Sequence, residues 1–176
     1  MAGNRWNMNV LNNTLLFIIK LLNEHNVKNW FIGYGTLLGM VRNNSCIDGD
    51  DDIDIIIDGE NYDMIKEILI AKGLLIEYGY GIEDSRKILK TKDTDEYCSV
   101  DFYMAKLDDE GNYNDEWEQV IWSKCHDASN NLIQHIWNNN KLYVPFNYQE
   151  KLINRYGVNW MTPMNTKGPT PRKKVL

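Results

Sequence analysis

The chain has 176 residues, enough for one compact domain with a sizeable core. Its formal net charge of −6 argues against a non-specific nucleic-acid binder, because phosphate contacts need clustered lysine and arginine. The three cysteines lie far apart without CxxC spacing, which argues against a disulfide framework and a structural zinc site. We therefore expect a cytoplasmic protein with neither a signal peptide nor a transmembrane span.

The hydrophobic pattern predicts an α+β fold, a small mixed β-sheet flanked by helices. Apolar residues at helical spacing predict helices over 9–26, 35–42, 61–72, 130–137 and 148–156. β-branched and alternating runs predict strands over 28–33, 53–57, 74–80, 87–90, 98–104 and 143–145. We expect residues 1–163 to form a single domain and residues 164–176 to form a flexible basic tail.

A dense run of carboxylates between residues 48 and 58 carries the strongest chemical signal. Side chains on a strand alternate between faces, so Asp50, Asp52 and Asp54 share one face if the strand begins early enough. Ile53 and Ile55 then anchor the opposite face in the core. Carboxylates crowded in this way repel one another unless a cation lies among them. Hard divalent cations with oxygen ligands, such as Mg²⁺ or Mn²⁺, suit this arrangement.

Plainer interpretations of the acidic run are a solvated loop or an edge strand protected by charge. The interleaved isoleucines favour a buried strand, where unpartnered acids are costly. A calcium-binding EF-hand loop is excluded, because its sixth position needs glycine and here is Ile53 or Ile55. Within the run, Asp51 is expected to point to the wrong face and so to be a bystander.

A glycine-containing turn lies upstream of the acids, between a predicted strand and a predicted helix. Small residues at such a turn let backbone N–H groups approach a phosphate at a helix N-terminus, and Gly33 and Gly35 supply them here. The turn is neither a Walker loop nor a dinucleotide-binding fingerprint, because the required spacings are absent. Asp101 is a further acid, embedded in an apolar strand, and its alternative is a salt-bridged structural role.

These motifs together resemble the LicD family, which includes the fukutin-related proteins. The family pattern is an aromatic-rich strand, then GTLLG, VR and IPWDxDxD. The chain has Asp48-Gly49 where the family has Pro-Trp, and since Asp48 stands in the place of that proline, it is expected to be a bystander. The resemblance extends from about residue 28 to residue 163. The matching residues are Trp30-Phe31-Ile32, Gly35-Thr36-Leu37-Leu38-Gly39, Val41-Arg42, Ile47, Asp50, Asp52, Asp54, Val144-Pro145, Leu152, Tyr156-Gly157, Trp160 and Pro163.

The resemblance implies a nucleotidyltransferase-like fold and a metal-dependent transferase. Such enzymes move a phospho-alcohol, of the phosphocholine or ribitol-phosphate type, from a CDP-linked donor to a sugar or glycan hydroxyl. Two alternatives are transfer of a nucleoside monophosphate from an NTP and an inactive nucleotide- or metal-binding module. Two Mg²⁺ or Mn²⁺ ions are expected, because a metal pair can serve both the attacking and the leaving oxygen. The expected metal ligands are Asp50, Asp52, Asp54 and Asp101.

Asp52, Asp54 and Asp101 are the expected catalytic residues, and Asp101 is also expected to take the proton of the attacking hydroxyl. Tyr34 is expected either to stack on a base or to pack against the sheet. The alternative for Arg42 is an ordinary surface position. The alternative for Lys90 is a solvated strand face, and the same alternative holds for Arg86 and Lys87. The candidates for nucleotide or phosphate contacts are Tyr34, Gly35, Thr36, Arg42 and Lys90.

Overall fold

The computed structural model describes residues 4–79, 81–164 and 174–176. The α-helices in these ranges are α1 (Met8–Glu24), α2 (Tyr34–Asn43), α3 (Tyr62–Ala71), α4 (Ile82–Ser85) and α5 (Tyr148–Tyr156). A turn of 3-10 helix, Gly59–Asn61, precedes α3. The strands are β1 (Trp30–Ile32), β2 (Asp52–Asp58), β3 (Ile88–Lys90), β4 (Ser99–Leu107), β5 (Tyr113–Asp115), β6 (Val120–Trp122), β7 (Ile133–Trp137) and β8 (Asn140–Val144).

The main sheet is mixed and is built around β2 and β4, which run parallel to each other. β1 pairs antiparallel with the free side of β2. The other side of β4 pairs first with β3 and then with β5, and β6 follows β5, all antiparallel. β7 and β8 form a separate hairpin that contacts α1 and β1. β2 therefore lies between two partners, which places its acidic residues inside the sheet.

Local chemistry explains where the helices begin and end. The Asn7 side chain accepts hydrogen bonds from the N–H groups of Asn9 and Val10 and so caps α1. α2 begins directly after β1, with Gly33 as its N-cap. α5 ends at Gly157, whose φ of 89° favours glycine. Seven residues of α1 form its buried face: Leu11, Thr14, Leu15, Ile18, Ile19, Leu21 and Leu22.

The predicted α+β architecture, a mixed sheet flanked by helices, is confirmed. Two element predictions are wrong. Residues 130–137 do not form a helix, because Ile133–Trp137 is a strand that pairs along its whole length with β8. Residues 74–80 do not form a strand among the residues described there, since only an isolated bridge joins Ile76 to Thr91.

The last two residues of the chain contact the folded domain, unlike the free tail that we expected. Val175 forms a bridge with Ile121 of β6, and Leu176 is buried. Residues 165–173, most of the predicted tail, lie outside the described residues. Among the helices that the structure describes, none combines the length and the apolar character needed to cross a bilayer.

Candidate active site

A row of charged side chains crosses three neighbouring strands of the main sheet. Asp52 and Asp54 lie two residues apart on β2, so they share one face. Asp101 on β4 is directly beside Asp54 in the parallel register. Lys90 on β3 is directly beside Asp101 in the antiparallel register. The fold thus brings together three predicted catalytic acids and one predicted phosphate ligand, from segments far apart in the sequence.

Asp54 is the acid most firmly held in place. Its Oδ2 accepts a hydrogen bond from the N–H of Gly35 at 2.9 Å, and its Oδ1 accepts one from the Tyr103 hydroxyl at 3.2 Å. Its own N–H donates to the Thr36 hydroxyl at 2.9 Å. Asp54 is 7% exposed. These bonds fasten the first turn of α2 to β2.

Gly35 leaves room for two of the acids. A Cβ there would lie 2.8 Å from Oδ2 of Asp50 and 3.4 Å from Oδ2 of Asp54. The contact with Asp50 is closer than real Cβ atoms allow, so a larger residue would displace the carboxylate. We expected Gly35 and Thr36 to serve a phosphate, but their polar groups described here bond to Asp54.

Asp50 lies just before β2, and with Asp51 and Asp52 it forms a compact acidic group. One carboxylate oxygen from each lies within 4.8 Å of the others, close enough to ligate a common metal ion. Asp51 precedes the strand, so alternation does not turn its side chain away from this group, and its role as a bystander stays a prediction. Asp48 instead accepts a hydrogen bond from the N–H of Met8, in the first turn of α1.

Lys90 holds Asp101 in an ion pair. Its ammonium nitrogen lies 2.6 Å from Oδ1 and 2.9 Å from Oδ2 of Asp101, and 3.7 Å from Oδ2 of Asp52. The salt-bridged alternative that the sequence left open for Asp101 is thus the observed contact. The alternative of a solvated strand face is wrong for Lys90, because its side chain is directed into the acid row.

The electrostatics of this cluster favour a bound cation. Burial and the charge of Asp101 together raise the pKa of Asp52 to about 7, against the opposing effect of Lys90. Burial, together with Asp52 and Asp101, raises the pKa of Asp54 well above its usual range. Burial also raises the pKa of Asp101, against the opposing effect of Lys90. A divalent cation would relieve this repulsion, and the oxygen-rich donor set fits Mg²⁺ or Mn²⁺.

Tyr34 packs inside the protein. Its hydroxyl donates to Oδ2 of the buried Asp115 at 2.5 Å. Its ring makes edge contacts with Tyr103 and Trp122, and the Arg155 guanidinium lies 4.9 Å from the ring centre. A ring surrounded in this way has no face to offer a base, so base stacking is the wrong alternative for Tyr34 and packing is the observed one. Its contact with Asp115 joins the start of α2 to β5.

Arg42 lies at the other end of α2 from the acids. It is seven residues beyond Gly35, which at 1.5 Å per residue is about 10 Å along the helix. It lines a cavity of about 540 Å³ between α2 and the β7–β8 hairpin, together with His135, Trp137 and Tyr148. The structure therefore places Arg42 near the acid row but not within it.

The other two basic candidates pair elsewhere. Arg86 bonds to Asp63 at 2.8 Å on the surface, and its guanidinium lies over the Tyr62 ring. Lys87 lies 3.6 Å from Glu116. For both residues the alternative of a solvated surface position matches the observed contacts.

Sequence reasoning missed three residues around the acids. Tyr103 donates a hydrogen bond to Asp54. Its position two residues after Asp101 on β4 indicates that both side chains lie on the same face, which could have been predicted from the sequence. Asp115 and Arg155 reach Tyr34 from β5 and α5. No local motif indicates those contacts, because they depend on how distant elements pack.

Comparisons with known proteins agree with this geometry. A model of the family described as LicD/FKTN/FKRP, nucleotidyltransferase domain, matches residues 27–165. The lincomycin-bound crystal structure of the lincosamide antibiotic adenylyltransferase LnuA superposes with a TM-score of 0.52 at 19% identity, over 80% of this chain and 84% of that one. The solution structure of the antibiotic-resistance factor ANT(2'')-Ia gives a TM-score of 0.54 at 20% identity, over 78% and 66%. No curated protein matches the sequence.

Proposed function

Because the chain belongs to the LicD/FKTN/FKRP family, we propose that it moves a phospho-alcohol from a CDP-linked donor to a sugar or glycan hydroxyl in a divalent-metal-dependent reaction. Family membership and the shared nucleotidyltransferase fold make it a transferase of phosphorus-containing groups. The observation that carries the proposal is the side-by-side placement of Asp52, Asp54 and Asp101 on two parallel strands.

Each residue of the row has a distinct part in the proposed reaction. Asp50, Asp52 and Asp54 hold the metal, and Asp51 is close enough to join them. A bound Mg²⁺ or Mn²⁺ supplies positive charge against the phosphate charge that builds up during transfer. Asp101 accepts the proton of the attacking hydroxyl, and its ion pair with Lys90 favours the ionised form that a base requires.

The first turn of α2 orients this machinery. The N–H of Gly35 and the hydroxyl of Tyr103 fix both oxygens of Asp54, so the carboxylate cannot rotate freely. Thr36 ties α2 to the backbone of β2. Preorganised groups of this kind lower the barrier because little reorganisation remains for the reaction itself.

Binding of the donor is the direct test. Isothermal titration with CDP-choline, CDP-ribitol and free nucleotides, in Mg²⁺ or Mn²⁺, should give metal-dependent binding of the cytidine compounds. Asp52→Asn should abolish the metal dependence, whereas Asp109→Asn, which removes an exposed acid in a turn, should not. If no cytidine nucleotide binds with either metal, the proposal fails.

A second candidate is transfer of a nucleoside monophosphate from an NTP, favoured by the fold shared with an adenylyltransferase. Phosphorus NMR separates the two reactions. Release of CMP from a CDP-alcohol supports phospho-alcohol transfer, and release of pyrophosphate from an NTP supports nucleotidyl transfer. If neither reaction occurs although nucleotide binds, the inactive binding module is the correct alternative.

A further inference from the structure

The position of Lys90 bears on how many metal ions the active site holds. Among the described residues, Lys90 is the basic side chain that forms ion pairs with the acid row. Its ammonium contacts both oxygens of Asp101 and lies 3.7 Å from Asp52. The Lys90 side chain is 25% exposed and that of Asp101 is 9% exposed, so solvent screens this pair only in part.

The acids divide into two groups. Asp50, Asp51 and Asp52 bring their oxygens within 4.8 Å of one another, and Oδ2 of Asp54 lies with Oδ2 of Asp50 beside Gly35. This group has room for an ion with several oxygen ligands. Asp101 makes up the second group by itself, and the Lys90 ammonium lies between it and Asp52.

A second divalent ion on Asp101 would compete with that ammonium. An ion ligated by Asp101 stands about 2.0–2.6 Å from its oxygens, and Lys90 occupies the space about as close to the same atoms. Two cations at such a separation repel each other strongly in a partly buried site. The sequence had led us to expect two ions, but the described contacts place the Lys90 ammonium where an ion on Asp101 would bind.

We propose that the site takes a single divalent ion, held by the Asp50–Asp54 side, and that the Lys90 ammonium replaces the second cation and positions Asp101. This inference rests on the proposed metal-dependent function. Lys90 is thus a positioning residue: it orients the acid that faces the attacking hydroxyl.

The sequence offers a matched control on the same segment. Lys87 lies three residues before Lys90, carries the same charge, and pairs with Glu116 instead of the acid row. Lys87→Gln removes that charge without touching Asp52 or Asp101. Lys90→Arg keeps a cation beside them, and Lys90→Gln removes it.

The test counts Mn²⁺ ions bound to the full chain, by isothermal titration and electron paramagnetic resonance with the metal alone at pH 8. We expect one ion in the wild type, in Lys87→Gln and in Lys90→Arg, and two ions in Lys90→Gln. Asp101→Asn should also keep one ion, because Asp101 is not its ligand. Circular dichroism verifies that each variant is folded.

The outcomes separate this inference from the proposed function. Two ions in the wild type, or loss of the ion in Asp101→Asn, would overturn the inference and leave metal-dependent transfer standing. No ion in the wild type would overturn both. One ion in a folded Lys90→Gln would show that Lys90 does not set the count. If Lys90→Gln does not fold, the counts in the wild type and in Asp101→Asn still decide.

Discussion

The two faces of β2 differ in what they do for the protein. One face carries Ile53, Ile55 and Ile57, each fully buried. The other carries Asp52 and Asp54, whose pKa values burial raises because the folded protein shields them from water. The isoleucine face stabilises the fold, and the acidic face costs stability until a cation neutralises it. Over residues 52–55, alternation thus places the core side chains and the acids on opposite faces of one strand.

The largest expected effect is on the acidic face. Asp54→Asn should lower the transfer rate by about 10³-fold, because a metal ligand lowers the activation barrier by several kcal/mol. The amide can still accept from Gly35 N–H and donate to the Tyr103 hydroxyl, so the metal-free protein should melt no lower than the wild type. Rate assays and thermal melts measure both. A large drop in melting temperature would show that Asp54 is structural.

On the isoleucine face of β2, a substitution should lower stability and leave the transfer rate unchanged. Ile55→Ala should destabilise the fold by about 2–5 kcal/mol, because it opens a cavity beneath a fully buried side chain. Chemical denaturation measures the loss, and the activity of the folded fraction should persist. Ile136→Ala, at a side chain that is 65% exposed, is the control and should change stability by under about 0.5 kcal/mol. Equal losses at the two positions would contradict the buried role of Ile55.

The pH dependence of stability should expose the cost of the acidic face. The folded pKa of Asp52, about 7, exceeds the unfolded value of about 3.9, so the folded state binds the proton more tightly. In EDTA, stability should therefore fall as pH rises from 5 to 8, by about 2–3 kcal/mol from this group. Denaturation at each pH measures it.

Two controls sharpen the pH prediction. Asp52→Asn should reduce the slope, since the titrating group is gone. Saturating Mn²⁺ should raise stability most at pH 8, because the ion binds the deprotonated carboxylates. Stability that is flat or rising between pH 5 and 8 in metal-free wild type would show that the acids are ionised at little cost.

The smallest expected effect is at the junction between α2 and β5. Tyr34→Phe removes one hydrogen-bond donor from buried Asp115 and should cost about 1–2 kcal/mol. Affinity for a CDP-linked donor should stay within about twofold, because the ring packs inside the protein. Denaturation and titration test the two expectations. A loss of donor affinity without a loss of stability would show that Tyr34 stacks on the base of the donor.

The sequence predicted the acid row well because the signal is local. Residues two apart on a strand share a face, so Asp52 and Asp54 could be paired without knowing the fold. Asp101 stood out as an acid in an apolar run. Its pairing with Lys90 could not be read, because it depends on the register between β3 and β4.

The errors arose where a short apolar run fits both a helix and a strand. Ile133–Trp137 is such a run, and it forms β7 because β8 pairs with it. The signal for a hairpin was present in Asn138 and Asn139, which both adopt positive φ, 46° and 60°. The segment around Ile76 was a different error, a predicted strand in which only Ile76 forms a bridge, with Thr91.

A crystal soaked with Mn²⁺ and a CDP-linked donor tests the central claim most directly, through anomalous diffraction from the metal. The account predicts a peak within about 2.0–2.6 Å of carboxylate oxygens of Asp52 and Asp54, with the donor phosphate beside it. A fully occupied soak with no peak on these two residues, or with the donor bound away from them, would contradict it.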